Sequence, residues 1–221
     1  MAPHEATETT HYSVVDAAGN AVSVSVTTTI NGFFGALVVA GDTGFLLNDE
    51  MDDFTIKSGV PNLFGLVQGA ANAVAPGKRP LSSMAPTLVT KDGKAFLVLG
   101  SPGGSRIITI TLETALNIID HGMQPQEAVD APRLHHQWLP DVLYAEPYAL
   151  SPDTKAILAG MGYKIAEQVP WGAAELIAVG REVSSNVATS GNDASATKGM
   201  RPGLFYGAND NRRPAGSAEG F

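Results

Sequence analysis

Two stretches of this chain can satisfy their apolar pattern only by folding back on themselves. From Tyr12 to Val26 apolar and small polar residues alternate, with Ala18-Gly19-Asn20 as the interruption. A period of two places successive side chains on opposite faces of a strand, so this stretch predicts a half-buried hairpin. A second hairpin is predicted where Pro86–Thr90 and Ala95–Leu99 flank Asp92-Gly93, a pair suited to the positive φ of primed turns. The two hairpins together predict an antiparallel sheet.

Helical spacing takes over further along. Ile107, Ile108, Leu112, Leu116 and Ile119 form an apolar face between Ser105 and Asp120, predicting a buried helix capped by Ser105 and closed by Gly122. Ser151-Pro152-Asp153 opens a second helix with Pro152 at its first position, and Gly160 to Gly162 ends it. Tyr163–Val169 is strand-like, and strands around Leu143–Glu146, Leu176–Val179 and Leu204–Tyr206 are expected to complete the sheet. Residues 181–202 are rich in Ser, Asn, Thr, Gly and Ala without periodicity and read as a flexible insertion, as does the tail after Asn209. With no internal repeat, helices and strands mix into one α+β domain.

Composition narrows the chemistry. At 221 residues, 44% apolar and 16% charged, the chain can bury one sizeable core. Its formal charge of −8, with no basic cluster, argues against nucleic acid and anionic membranes as partners. The absence of cysteine removes disulfides, thiolate metal sites and a Cys nucleophile, so reactive groups must be oxygen or nitrogen. No apolar run approaches the ~20 residues of a spanning helix, and Met1 to Glu8 lacks the pattern of a signal peptide.

Five segments could carry chemistry. Thr9-Thr10-His11-Tyr12-Ser13 leads into the first strand and offers hydroxyls there. Pro102-Gly103-Gly104-Ser105 joins a strand to a helix, where glycine lets the backbone approach a ligand and N–H groups can receive an oxyanion; it lacks the Lys-Ser/Thr of a P-loop. Asn48-Asp49-Glu50-Met51-Asp52-Asp53 could hold a cation or an ammonium group, although calcium would need a longer loop with ligands at alternate positions. Lys78-Arg79-Pro80-Leu81-Ser82-Ser83 presents two hydroxyls to a carboxylate. His135-His136 would point to opposite faces of a strand, which favours a structural role over a metal site.

In their order and spacing these segments resemble the small subunit of γ-glutamyltransferases: TTHYSVVD at 9–16, TIN at 29–31, LLNDEMDDF at 46–54, KRPLSSMAPT at 78–87, GSPGGSRI at 100–107 and APRLHHQWLPD at 131–141. The resemblance implies an Ntn-hydrolase αββα four-layer sandwich completed by a large subunit of the same precursor. It also implies scission between Glu8 and Thr9, which would leave 1–8 as a leader and 9–221 as the catalytic subunit. Thr9 would then be both nucleophile and, through its freed amine, base. The same resemblance implies that Thr29 orients Thr9 and that Gly103 and Gly104 form the oxyanion hole. It assigns Asn31, Glu50 and Asp53 to the substrate ammonium and Ser82 and Ser83 to its carboxylate. Glutathione-like γ-glutamyl compounds are the implied substrates, no metal or organic cofactor is expected, and a periplasmic or extracellular location is implied by the family alone. Phe64 stands where the family often has a gating Tyr, so that gate would lack a hydroxyl. The alternatives are a related acylase acting on glutaryl-cephalosporins and an unprocessed, catalytically silent chain.

Overall fold

Strand β6 (Lys94–Gly100) is buried continuously from Phe96 to Gly100, because structure covers both of its faces. It lies inside a four-stranded antiparallel sheet ordered β11-β10-β6-β5, with β5 (Thr87–Lys91), β10 (Glu175–Val179) and β11 (Phe205–Asn209). On one face pack helices α1 (Ile107–Ile119) and α2 (Pro125–Asp130). On the other face lies the hairpin β1 (Thr9–Val15) and β2 (Ala21–Thr27), which contacts β5, β6 and β10. The computed structural model describes residues 9–27, 29–30, 33–34, 38–62, 64–180, 199–213 and 216–220, the side chains of 29, 30, 33, 34 and 52 excepted.

The core forms between the sheet and the helices. Leu97, Leu99 and Leu176 meet Ile110 and Ile118 of α1 and Val129 of α2, all at 2% exposure or less. Fully burying a side chain of this size contributes about 1.5–3 kcal/mol, so these six hold the helices to the sheet. Two short strands, β3 (Thr29–Ile30) and β4 (Phe33–Phe34), pair with each other. A separate three-stranded sheet contains β7 (Leu134–His135), β8 (Leu143–Ala145) and β9 (Ile165–Glu167), with β8 and β9 parallel. Helix α3 (Pro152–Gly160) makes the crossover between them. No helix among the described residues is long and apolar enough to cross a membrane.

Both predicted hairpins form, and the second turns through Asp92 and Gly93 at φ 51° and 72°. They do not share a sheet, however; they stack face to face, and Leu143–Glu146 goes to the smaller sheet. The hairpin's inner face explains this. His11, Ser13, Ser23 and Ser25 bridge to each other or to β6 carbonyls by hydrogen bonds, a polar seam between two sheets instead of an apolar one.

The predicted helix near Ser105 also needs correction. A 3-10 turn, Gly104–Arg106, precedes α1, and Ser105 donates to Gln137 Oε1 at 2.7 Å instead of capping. The buried face is Ile107, Ile110, Thr111, Thr114 and Ile118, while Ile108, Leu112 and Leu116 are exposed. The second helix begins as predicted, with Ser151 accepting from Thr154 N. The expected insertion at 181–202 lies outside the described residues as far as 198, and Met200 joins the core. Just after Asn209 the chain is held rather than loose, since Asp210 is fully buried.

Candidate active site

Thr9 opens β1 and is buried, with Oγ1 2.8 Å from Thr27 Oγ1. The pairing follows from hairpin register, Val15 opposite Ala21 and Thr9 opposite Thr27. Thr27 was not singled out from the sequence. Counting outward from the Ala18-Gly19-Asn20 turn would have found it, because partners in this hairpin sum to one constant. Thr29 lies on β3, and its side chain, like all of Asn31, falls outside the described residues.

His11 shares the buried face of β1 with Thr9. Its ring nitrogens lie 2.8 Å from Ser25 Oγ and 3.2 Å from Ser13 Oγ, and Ser13 donates to Val98 O. Burial lowers its pKa to about 4, so the imidazole is neutral and structural. The ring rests on Gly100, where an added Cβ would lie 2.3 Å from His11 Cε1. With Ser13 over Val98 and His11 over Gly100, the strand runs Thr9 out toward the turn that follows β6.

That turn is Ser101–Gly104. Gly103 at φ 143° and Gly104 at φ 55° occupy conformations that favour glycine, and Gly103 is buried. The Phe64 ring covers Gly104 so closely that a Cβ there would meet Phe64 Cδ1 at 2.6 Å. Gln137 ties the two together, accepting from Ser105 and donating to Phe64 O at 3.3 Å. His135 is 3% exposed and sits between Thr109 Oγ1 and Gln137 Oε1, which matches the structural role expected of it. Among the described residues no cluster of His, Asp and Glu could hold a metal.

The acidic and hydroxyl sets lie on one long loop. Glu50 and Asp53 belong to a single 3-10 turn, Glu50–Asp53. Burial, a hydrogen bond to Asp53 and the charges of Asp53 and Asp49 push the Glu50 pKa up to about 7, a strain that a bound cation would relieve. Ser82 is exposed and its Oγ accepts from Met84 N, while Ser83 is half-buried. The loop's organiser is Asn72, another residue that no motif or spacing marks. Its Nδ2 donates to Asp53 O at 2.7 Å and Gln68 Oε1 at 2.9 Å, and its Oδ1 accepts from Leu81 N at 2.9 Å.

A profile of the Gamma-glutamyltranspeptidase family matches residues 1–218. The chain belongs to that family. A glutathione hydrolase proenzyme from Pseudomonas sp. (strain A14) is 56% identical over 219 residues, covering 99% of this chain and 36% of the relative. One from Escherichia coli (strain K12) is 57% identical over 180 residues, 81% of this chain and 30% of the relative. The chain thus spans about a third of the length of these relatives. Among solved structures, a T380A mutant of Helicobacter pylori gamma-glutamyltranspeptidase superposes with TM-score 0.72 and 50% identity, covering 92% of this chain and 100% of that one. A cephalosporin acylase from Bacillus halodurans, at 24% identity and TM-score 0.63, covers 91% of this chain and 32% of that one, and shares the fold. The fold is the α+β Ntn-hydrolase sandwich, and the Helicobacter pylori gamma-glutamyltranspeptidase shares it over 92% of this chain.

Proposed function

We propose that this chain is the catalytic part of a gamma-glutamyltranspeptidase and glutathione hydrolase, with Thr9 as its nucleophile. The observation that carries the reading is Thr9 itself: it begins a strand packed on β6, it is buried, and its hydroxyl is already held by Thr27 at 2.8 Å. Self-cleavage before Thr9 would free an α-amine with an ordinary pKa of about 7.7 to 8.0, substantially neutral near physiological pH. That amine accepts the proton as Thr9 Oγ1 bonds to the γ-glutamyl carbonyl carbon. The oxyanion so formed is received by the N–H groups of Gly103 and Gly104, and the intermediate collapses to an ester as the protonated amine product leaves. Water or an amino acid then attacks the ester and restores Thr9.

The substrate's own charges fit the long loop. Its α-ammonium is assigned to Asn31, Glu50 and Asp53, and its α-carboxylate to Ser82 and Ser83. The raised Glu50 pKa supports the first assignment, since an entering ammonium would convert a proton-sharing pair into two carboxylates. Thr29 remains a candidate for orienting the Thr9 amine. The partner is the remaining two-thirds of the precursor, which would form a heterodimer with this chain after cleavage.

The test is co-expression with that remaining portion, intact mass before and after incubation, and hydrolysis of a chromogenic γ-glutamyl anilide. The parent is expected to yield a chain starting at Thr9 and to turn over. Thr9→Ala is expected to stay uncut and inactive, at least a thousandfold below the parent. Turnover by Thr9→Ala would assign another nucleophile, and a cut but inactive parent would favour the acylase chemistry of the more distant neighbour.

A further inference from the structure

Thr9 receives one contact from the far end of the fold. Arg213 Nη1 donates to the Thr9 carbonyl at 3.1 Å across a separation of 204 positions. Arg213 is half-buried and its segment is braced: its N–H donates to Asp210 O, and the adjacent Arg212 donates through both backbone and side chain to Asp210 Oδ1. Asp210 is itself fully buried against Arg133. The backbone that carries the guanidinium is therefore held in place, and the guanidinium itself rests on the Thr9 carbonyl.

We propose that Arg213 is a positioning residue for Thr9: it fixes the start of β1 through the carbonyl and places a permanent positive charge beside the α-nitrogen that becomes the base. The inference rests on the reading of Thr9 as an N-terminal nucleophile. Covalent geometry separates a residue's carbonyl oxygen from its own nitrogen by about 3 Å, so the guanidinium stands within roughly 6 Å of the amine that scission would free. A second positive charge there is disfavoured, and the amine stays neutral, and able to accept a proton, at lower pH.

Among the other described charged groups around β1, Glu175 is the one that opposes this effect. His11, two residues on and on the same face, is kept neutral by burial, and Tyr12 lies on the opposite, exposed side. Strand β2 has no titratable side chain, and on β6 the only one is Lys94 at the distant hairpin end. From β10, Glu175 faces Arg213; burial and then the charge of Asp210 push its pKa up to about 7, so where the amine titrates it offsets part of the Arg213 charge and the acidic limb reads the net of the two. Asp210 is balanced by Arg133 and Arg212.

The experiment uses the complete precursor in three forms, the parent, Arg213→Gln and Arg213→Lys, and follows kcat/KM for a γ-glutamyl anilide against pH. The acidic limb reports deprotonation of the base. In Arg213→Gln that limb should move up by about one pH unit, whereas in Arg213→Lys it should stay with the parent. A purely structural contact would lower activity equally at every pH and leave the limb in place, and that result overturns the proposal. If the Gln form fails to fold or to cut itself, the Lys form decides: parent-like cleavage and limb support the charge, and loss of either overturns it. Labelling of the Thr9 amine across pH reads the same shift in the processed chains without turnover. A parent that neither cuts itself nor turns over refutes Thr9 as nucleophile, a different failure from an unmoved limb.

Discussion

His11 and Gly100 show how one missing side chain sets the position of a reactive one. The imidazole occupies the space a Cβ would take on Gly100 and is held between Ser25 and Ser13, so the first turn of contacts behind Thr9 has no slack. Gly100→Ala should displace the ring, break its 2.8 Å contact with Ser25 and shift the start of β1. The expected result is at least tenfold slower self-cleavage, read by intact mass, with about 1–3 kcal/mol lost in thermal unfolding; cleavage at the parent rate would show that the strand adjusts freely. At this scale the sequence was partly legible. Thr9 and the Gly103-Gly104 pair stand out in the sequence because they belong to motifs, and the structure places one at the start of a buried strand and the other in the turn after β6. Thr27 and Asn72 escaped because their importance lies in register and in loop closure, neither of which leaves a compositional mark.

The loop from Asn48 to Ser83 carries on two arms the residues proposed for the substrate, Glu50 and Asp53 for its ammonium and Ser82 and Ser83 for its carboxylate, and Asn72 laces the arms together through Asp53 O and Leu81 N. Three hydrogen bonds of about 1 kcal/mol each fix one arm relative to the other. Asn72→Ala should therefore raise KM for a γ-glutamyl donor about tenfold or more while changing kcat less, because Thr9 and the glycine turn lie on other elements; steady-state kinetics would check this, and an unchanged KM would detach Asn72 from the pocket. Helices tell a complementary story. The α3 start was predictable from Ser151 and Pro152, local chemistry that survives in any context. For α1 the broad apolar face hid which side is buried: β6 selected Ile110, Thr114 and Ile118 and left Ile108, Leu112 and Leu116 outward. Periodicity identifies a helix, but only the packing partner chooses its face.

At the scale of the whole molecule, four charged residues stitch distant segments together. Asp210 meets Arg133 and Arg212, and Glu146 meets Arg212 and the N–H groups of Arg133 and Trp171. Burial would push the Asp210 carboxyl up, but Arg133 and Arg212 outweigh it and hold it below its usual range. A depressed carboxylate contributes stability above its unfolded pKa, and that contribution is lost as pH falls through the folded value. Asp210→Asn leaves Arg133 buried without its counter-ion and should cost about 3–5 kcal/mol near neutral pH, read as a lowered unfolding temperature; an unchanged temperature would mean that the cluster reorganises. Nothing in the sequence joined these residues, since a buried ion cluster shows itself only once the chain has been folded, and the tail accordingly read as loose.

That stitching has a consequence in time. A ribosome adding about 5–20 residues per second makes Thr9 roughly 10 to 40 seconds before it makes Arg213, 204 positions later. Under the proposed positioning, the start of β1 gains its brace from the far end of the fold only when that arginine arrives, so Thr9 is held in place by almost the last part of the chain to be made.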